Sequence, residues 1–169
     1  EEARAGQKLV IGPWYHMPWT QAMGEMDFGR EARNHTDELM LRWFDHWLRG
    51  VDNGIMAEPR VSVFVMGANK WRQADEWPFP NTNFTKFYMH SGGRANSLNG
   101  DGTLGRQAPG DEPHDIYVSD PGYPVQSLGG RSCCLAALAP MGPMDQRPVE
   151  TRNDVLVFTS ARLAQDVAV

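Results

Sequence analysis

The sequence predicts an α/β unit of one strand, a loop and a helix, followed by a mainly β sandwich. Three observations carry that prediction. A short apolar run, Lys8-Leu9-Val10-Ile11, stops at Gly12-Pro13. A stripe of apolar residues with a 3.6-residue period covers positions 36 to 48. After Glu58-Pro59 the pattern changes to short β-branched stretches separated by Gly and Pro turns.

The apolar run reads as a strand covered on both faces, as in a parallel sheet, and Pro13, which has no N–H to give a ladder, ends it. Residues 17 to 35 read as a long loop. Its Met17, Trp19, Met23, Met26 and Phe28 are too many large apolar side chains for a loop that does not lie against something. From Thr36 to Leu48, residues Leu39, Met40, Trp43, Phe44, Trp47 and Leu48 fall on one helical face. Asp37 and Glu38 sit in the first turn, Arg49 in the last, and Gly50 follows as the C-terminal cap, each in the sense the helix dipole favours. A domain boundary is placed here, giving residues 1–56 and 57–169. Strands are expected at Arg60–Met66, Phe84–His90, Asp115–Val118 and Asp154–Thr159. Turn clusters such as Ser91-Gly92-Gly93 and Asp120-Pro121-Gly122 separate them.

Composition narrows the partners. A formal charge of -5 with 16 scattered Lys and Arg argues against a nucleic-acid surface. No apolar run approaches the roughly 20 residues that span a bilayer, so no membrane association is expected and the chain reads as soluble. The two cysteines, Cys133 and Cys134, are adjacent; neighbouring residues bridge only through a strained ring, so two free thiols are expected. The five histidines show neither H-E-x-x-H nor ligand spacing with the cysteines, so no metal and no cofactor is expected. The chain has no initiating Met and enters a strand by about residue 8, so it is expected to begin within a longer polypeptide.

His16 raises the functional question. It lies just past the C-terminal end of a predicted parallel strand that leads to a helix, where α/β-hydrolases hold the base of their triad. Imidazole suits that role because it titrates near neutrality, so it can take a serine proton and return it to the leaving group. In that fold the order is Ser, then Asp or Glu, then His. Ser62, Ser91 and Ser127 sit outside any G-x-S-x-G elbow. Either His16 merely caps or packs a loop, or the nucleophile and acid precede it in a longer polypeptide.

A resemblance separates these alternatives. Gly12-Pro13-Trp14-Tyr15-His16, Gly24-Glu25-Met26-Asp27-Phe28-Gly29, Phe44-Asp45-His46-Trp47-Leu48, Val65-Met66-Gly67-Ala68-Asn69-Lys70-Trp71-Arg72 and Glu76-Trp77-Pro78 resemble the CocE/NonD hydrolases. That group includes X-prolyl dipeptidyl-peptidase-like enzymes, acylases and esterases. The likeness continues through Asp120-Pro121, Pro124-Val125, Gly129-Gly130 and Gly142-Pro143-Met144-Asp145 to Asn153-Asp154-Val155-Leu156-Val157-Phe158-Thr159-Ser160, and so covers nearly the whole chain.

The resemblance implies an α/β-hydrolase end over 1–56 and a jelly-roll, galactose-binding-like sandwich over 57–169. It also implies a serine hydrolase that cleaves ester or amide bonds, with His16 as the triad base and an ester, an amide or a short peptide as substrate. Met17 departs from the small residue usual after that histidine, which bears on the pocket rim and leaves the triad intact. Trp14 and Trp19 are candidates for lining the substrate site. A jelly roll has about eight strands, and only four or five are expected here. The sandwich therefore reads as incomplete, with an open edge that invites self-association or pairing with the remainder of the enzyme. The alternative is a non-catalytic module binding carbohydrate or protein, for which the aromatic run Trp71 to Trp77 is the candidate platform.

Overall fold

The apolar run at the start of the chain forms β1 (Leu9–Ile11), which pairs in parallel with β4 (Val61–Val65), Leu9 opposite Val61. β4 continues through a turn at Gly67-Ala68-Asn69 into β5 (Lys70–Ala74), giving the order β1-β4-β5. A computed structural model describes residues 6–14, 16, 20–131 and 140–167. Cys133 and Cys134, expected as free thiols, lie outside the described residues, as do Met17 and Trp19. β1 is less covered than expected. As the outer strand of its sheet it leaves Leu9 and Val10 half-buried and Ile11 exposed.

The stretch expected as a loop holds more order than its composition announces. Ala22–Met23 (β2) and Met26–Asp27 (β3) form a short antiparallel hairpin, and Arg30–Ala32 make a 3-10 turn. Two of the large apolar residues there do lie against something: Met23 and Phe28 are buried with Ala32 and with Phe64 of β4, and Trp14 and Trp71 pack on that cluster, whereas Met26 is exposed.

Helix α1 spans Thr36–Arg49, one residue longer than the stripe predicts. Gly50 ends it in the left-handed conformation, φ 66°, and its N–H reaches the His46 carbonyl. Arg42 fixes the helix to the segment 53–58: its guanidinium pairs with Glu58 and bonds the Asn53 carbonyl, while the Asn53 amide donates to the Arg42 carbonyl at 2.7 Å. Lys8 ties the same segment to β1, its ammonium bonding the carbonyls of Glu58 and Pro59 at 2.9 and 3.1 Å. No residue of α1 is buried; Leu41, Phe44, Trp47 and Leu48 are exposed although they belong to, or flank, the apolar stripe.

Contacts divide the chain into two compact units: residues 1–82 with 131–143, and residues 83–130 with 144–169. In the second, β6 (Tyr88–His90) pairs antiparallel with β7 (Thr103–Gly105), which pairs in parallel with β8 (Thr159–Ser160). The expected strand Asp154–Thr159 is realised as a bridge between Leu156 and Asn96 with backbone bonds from Ser97 to Val155 and from Val157 to Ala95, before β8 begins. Asp115–Val118 forms no strand, which corrects the expectation. Its tethers come from side chains: the Asp115 carboxylate accepts the Ala95 N–H at 2.7 Å, and the Asn96 amide donates to the Ile116 carbonyl at 3.0 Å. The described residues are thus mainly small sheets with few helices. Among them, no helix is long and apolar enough to cross a membrane.

Candidate functional site

The site is built where β1 gives way to Gly12-Pro13-Trp14. The Trp14 ring folds back over Gly12 so closely that a Cβ there would stand 2.4 Å from it, so glycine is the residue that fits. The Trp14 indole N–H then donates to the Ala32 carbonyl at 2.6 Å. Trp71 of β5 donates its own indole N–H to the Glu31 carbonyl at 2.7 Å. Two indoles, one just past the end of β1 and one on β5, therefore hold consecutive carbonyls of the 3-10 turn. Their rings meet at 5.8 Å, and His35 stands edge-on to both, 5.7 Å from Trp14 and 5.1 Å from Trp71.

His16 follows this anchored strand end and is exposed to solvent. Of the residues predicted to act, His16 and Trp14 are described, whereas Trp19 lies outside the described residues. Trp14 is half-buried and committed to Ala32, His35 and Trp71.

The hairpin after His16 is pinned by close backbone approach as well as by the buried Met23 side chain. Gly24, at φ 56°, lies so near Pro143 that a Cβ would come within 2.2 Å of its carbonyl oxygen, and the Glu25 N–H bonds that oxygen at 3.0 Å. Gly142 answers from the other side: a Cβ there would meet the Gly24 nitrogen at 2.8 Å. The Gly24-Glu25 and Gly142-Pro143 motifs, far apart in sequence, are two halves of one close contact.

An open groove of about 770 Å³ lies beside β1, walled by Lys8, Leu9, Trp43, Arg60, Asp75 and Trp77. Neither Trp14 nor His16 is among the described residues that line it. The aromatic run from Trp71 to Trp77 is split in function. Trp71 joins the core with Phe64, and Trp77 stacks edge-on with Phe79 at 5.2 Å on the groove.

Two charged pairs in the second unit, Arg152–Asp154 and Arg147–Asp145, are local. Arg152 holds Asp154 through two bonds of 2.7 and 2.6 Å, and its guanidinium lies 4.3 Å from the Tyr123 ring centre. That hydrogen-bonded guanidinium keeps the Asp154 carboxyl below its ordinary range, as Arg147 does for Asp145. These pairs bind each other across two residues, the signature of a local turn and not of a converging carboxylate site. Sequence reasoning missed the His90–Glu112 pair, in which Nδ1 stands 2.7 Å from a carboxylate oxygen. The two residues are separated by 22 positions, and no spacing rule connects them.

The model of the X-Pro dipeptidyl-peptidase C-terminal non-catalytic domain matches residues 53–169. The chain belongs to this family of the CocE/NonD hydrolases. It is 39% identical over 168 residues to the cocaine esterase of Rhodococcus sp. (strain MB1 Bresler), covering 98% of this chain and 29% of that protein. Over 92 residues it is 33% identical to a Bacillus anthracis protein carrying the name of an Xaa-Pro dipeptidyl-peptidase, covering 47% of this chain and 15% of that one. Among solved structures it is similar to an aminopeptidase from the marine sediment archaeon Thaumarchaeota archaeon, with a TM-score of 0.59 and 26% identity. That match covers 90% of this chain and 24% of the other. The chain thus spans less than a third of the length of these relatives. The first two of these relatives are an esterase and a dipeptidyl-peptidase by name.

Proposed function

We propose that the chain supplies the general base and the non-catalytic β domain of a serine hydrolase that cleaves ester or amide bonds through an acyl-enzyme. The observation that carries this reading is the position of His16: exposed, just beyond the C-terminal end of a parallel strand, with the intervening Trp14 locked in place. The matched family domain begins at residue 53 and is non-catalytic by description, so any chemistry falls to the residues before it, where His16 lies. In this reading residues 1–56 are the end of an α/β-hydrolase domain, and 57–169 are a jelly-roll sandwich that other parts of the enzyme complete.

The roles follow from triad chemistry. A serine outside this chain attacks the acyl carbon, His16 takes its proton and delivers it to the leaving alcohol or amine, and a carboxylate outside this chain fixes the imidazole tautomer. Substrates are esters, amides or short peptides, as the names of the relatives suggest. Trp14 and Trp19 flank His16 in sequence and are proposed to border the substrate.

The test is covalent labelling of the full-length protein with a fluorophosphonate probe, alongside a His16→Ala variant. Labelling is expected to vanish in the variant, and turnover to fall by roughly 10⁴- to 10⁶-fold, the range for loss of a triad member. Equal labelling of both proteins refutes the assignment.

A further inference from the structure

Strand β6 ends in His90, and both nitrogens of its ring face acceptors. Nδ1 lies 2.7 Å from Glu112 Oε1, and Nε2 lies 2.9 Å from the Gln107 carbonyl oxygen. A carbonyl only accepts, so Nε2 carries a hydrogen; the ring and the carboxylate then share one further proton across Nδ1. The arrangement is satisfied as an imidazolium against a carboxylate, a charge-assisted bond that a neutral ring cannot reproduce.

This pair heads a chain of bonds that fastens one loop to one strand. The second oxygen of Glu112 accepts the Ser91 N–H at 3.3 Å. The Ser91 hydroxyl donates to Asp115 at 2.7 Å and accepts the Gly93 N–H at 3.1 Å. Asp115 in turn accepts the Ala95 N–H at 2.7 Å. We propose that His90 and Glu112 form a proton-operated latch that fastens residues 106–112 to β6 and loosens them when the shared proton is lost. The loop leads into Ile116, Tyr117 and Val118, which are exposed and outside any strand and which Asp115 and Asn96 keep tethered whether the latch is closed or open.

Glu112 is the charged group that faces the ring. From β7, the neighbouring strand, Gly105 backs His90 and Thr103 is its register partner; neither is charged. Arg106 is directed to the Phe87 ring, 5.6 Å away, and Asp101 pairs with Arg94 at 3.7 Å. The hydrogen bond to Glu112 raises the pKa of His90 above its ordinary value, and the bond from His90 lowers that of Glu112. A raised histidine stabilises the closed state below its unfolded pKa and loses that contribution as pH climbs through the folded value. A lowered carboxylate stabilises above its unfolded pKa and loses it as pH falls through its folded value. The latch is therefore closed at pH values between the lowered Glu112 value and the raised His90 value, and opens as pH climbs through the latter.

The experiment is an NMR titration of the whole 169-residue chain with labelled histidine, His90 being assigned by its loss in His90→Gln. Its midpoint is expected above the ordinary ~6.5 and to fall back towards it in Glu112→Gln. Trypsin cleavage after exposed Arg106 supplies the second readout, measured against cleavage after Arg131 in the same digest to cancel the protease's own pH dependence. The Arg106 to Arg131 ratio is expected to rise several-fold from about pH 6 to about pH 8.5, a range that brackets the ordinary histidine value. In Glu112→Gln the ratio should be high at both pH values. A midpoint at or below the ordinary value, a midpoint unmoved by Glu112→Gln, or an Arg106 ratio that is flat with pH overturns the proposal. Should Glu112→Gln fail to fold, the midpoint and the cleavage ratio of the unaltered chain decide alone.

Discussion

Replacing Gly24 by Ala tests the backbone contact that pins the hairpin following His16. The new Cβ would stand 2.2 Å from the Pro143 carbonyl oxygen, whereas ordinary contact begins at 3.4 Å, so the carbonyl must retreat by about 1.2 Å. That retreat breaks the 3.0 Å bond from the Glu25 N–H, costing roughly 0.5–1.5 kcal/mol. The positive φ of 56° adds about 1–2 kcal/mol for a side chain in the left-handed region. The expected loss is about 1.5–3.5 kcal/mol. Gly50→Ala is the control, because Gly50 has φ 66° and nothing near its Cβ position, so it should lose only the backbone part, about 1–2 kcal/mol. Urea denaturation followed by tryptophan fluorescence measures both. If Gly24→Ala falls within about 0.5 kcal/mol of Gly50→Ala, the approach to Pro143 contributes nothing and the reasoning is refuted. Gly142→Ala should be strongly non-additive with Gly24→Ala, since both spoil the same contact.

Three further substitutions, at two positions, separate packing from charge. Trp71→Phe keeps a ring against Phe64 and Trp14 but removes the donor to Glu31, and is expected to cost about 1 kcal/mol in denaturation; Trp71→Ala also empties the cluster and should cost about 3–5 kcal/mol. Asp154 is held below its ordinary carboxyl range by Arg152, so its stabilising contribution is present above the unfolded value of about 3.9 and is lost as pH falls through the lower folded one. Asp154→Asn should therefore flatten the acid limb of the stability profile and leave the alkaline limb unchanged, and an unchanged acid limb counts against the pair.

The sequence disclosed the elements that rest on local pattern. Helix α1 was legible because its stripe, acidic first turn and terminal Gly50 all agree, and β1 and β4 because apolar and β-branched runs are bounded by Gly and Pro. Strand β5 was not, since Lys70-Trp71-Arg72-Gln73-Ala74 is polar and is held as a strand by antiparallel pairing with β4. β7, Thr103-Leu104-Gly105, is too short and glycine-flanked to carry a signal. Asp115–Val118 misled in the other direction, because β propensity states what a pleated surface would accept and not whether a partner strand is present. At the site, Gly12-Pro13-Trp14 drew attention to His16 as a candidate, and the anchoring of Trp14 was not part of that signal. The pairing of Trp14 with Ala32 and of Gly24 with Pro143 was not legible, since each joins residues that no local period relates.

These contacts give the motif residues a shared physical task around His16. Gly12 makes room for the Trp14 ring, Trp14 and Trp71 each bind one carbonyl of the 3-10 turn, and Gly24 with Gly142 clasps the hairpin between them. His16 thus lies in sequence between an anchored strand end and a hairpin that is itself pinned. A triad base must keep its imidazole within hydrogen-bond reach of a serine, and a misplacement of about 1 Å can cost on the order of 10²-fold in rate. On the proposed function, Gly24→Ala should therefore reduce turnover of the full-length enzyme at temperatures where it remains folded, with the loss in kcat larger than any change in KM. The same variant with unchanged kcat would mean that the hairpin stabilises the chain without positioning His16.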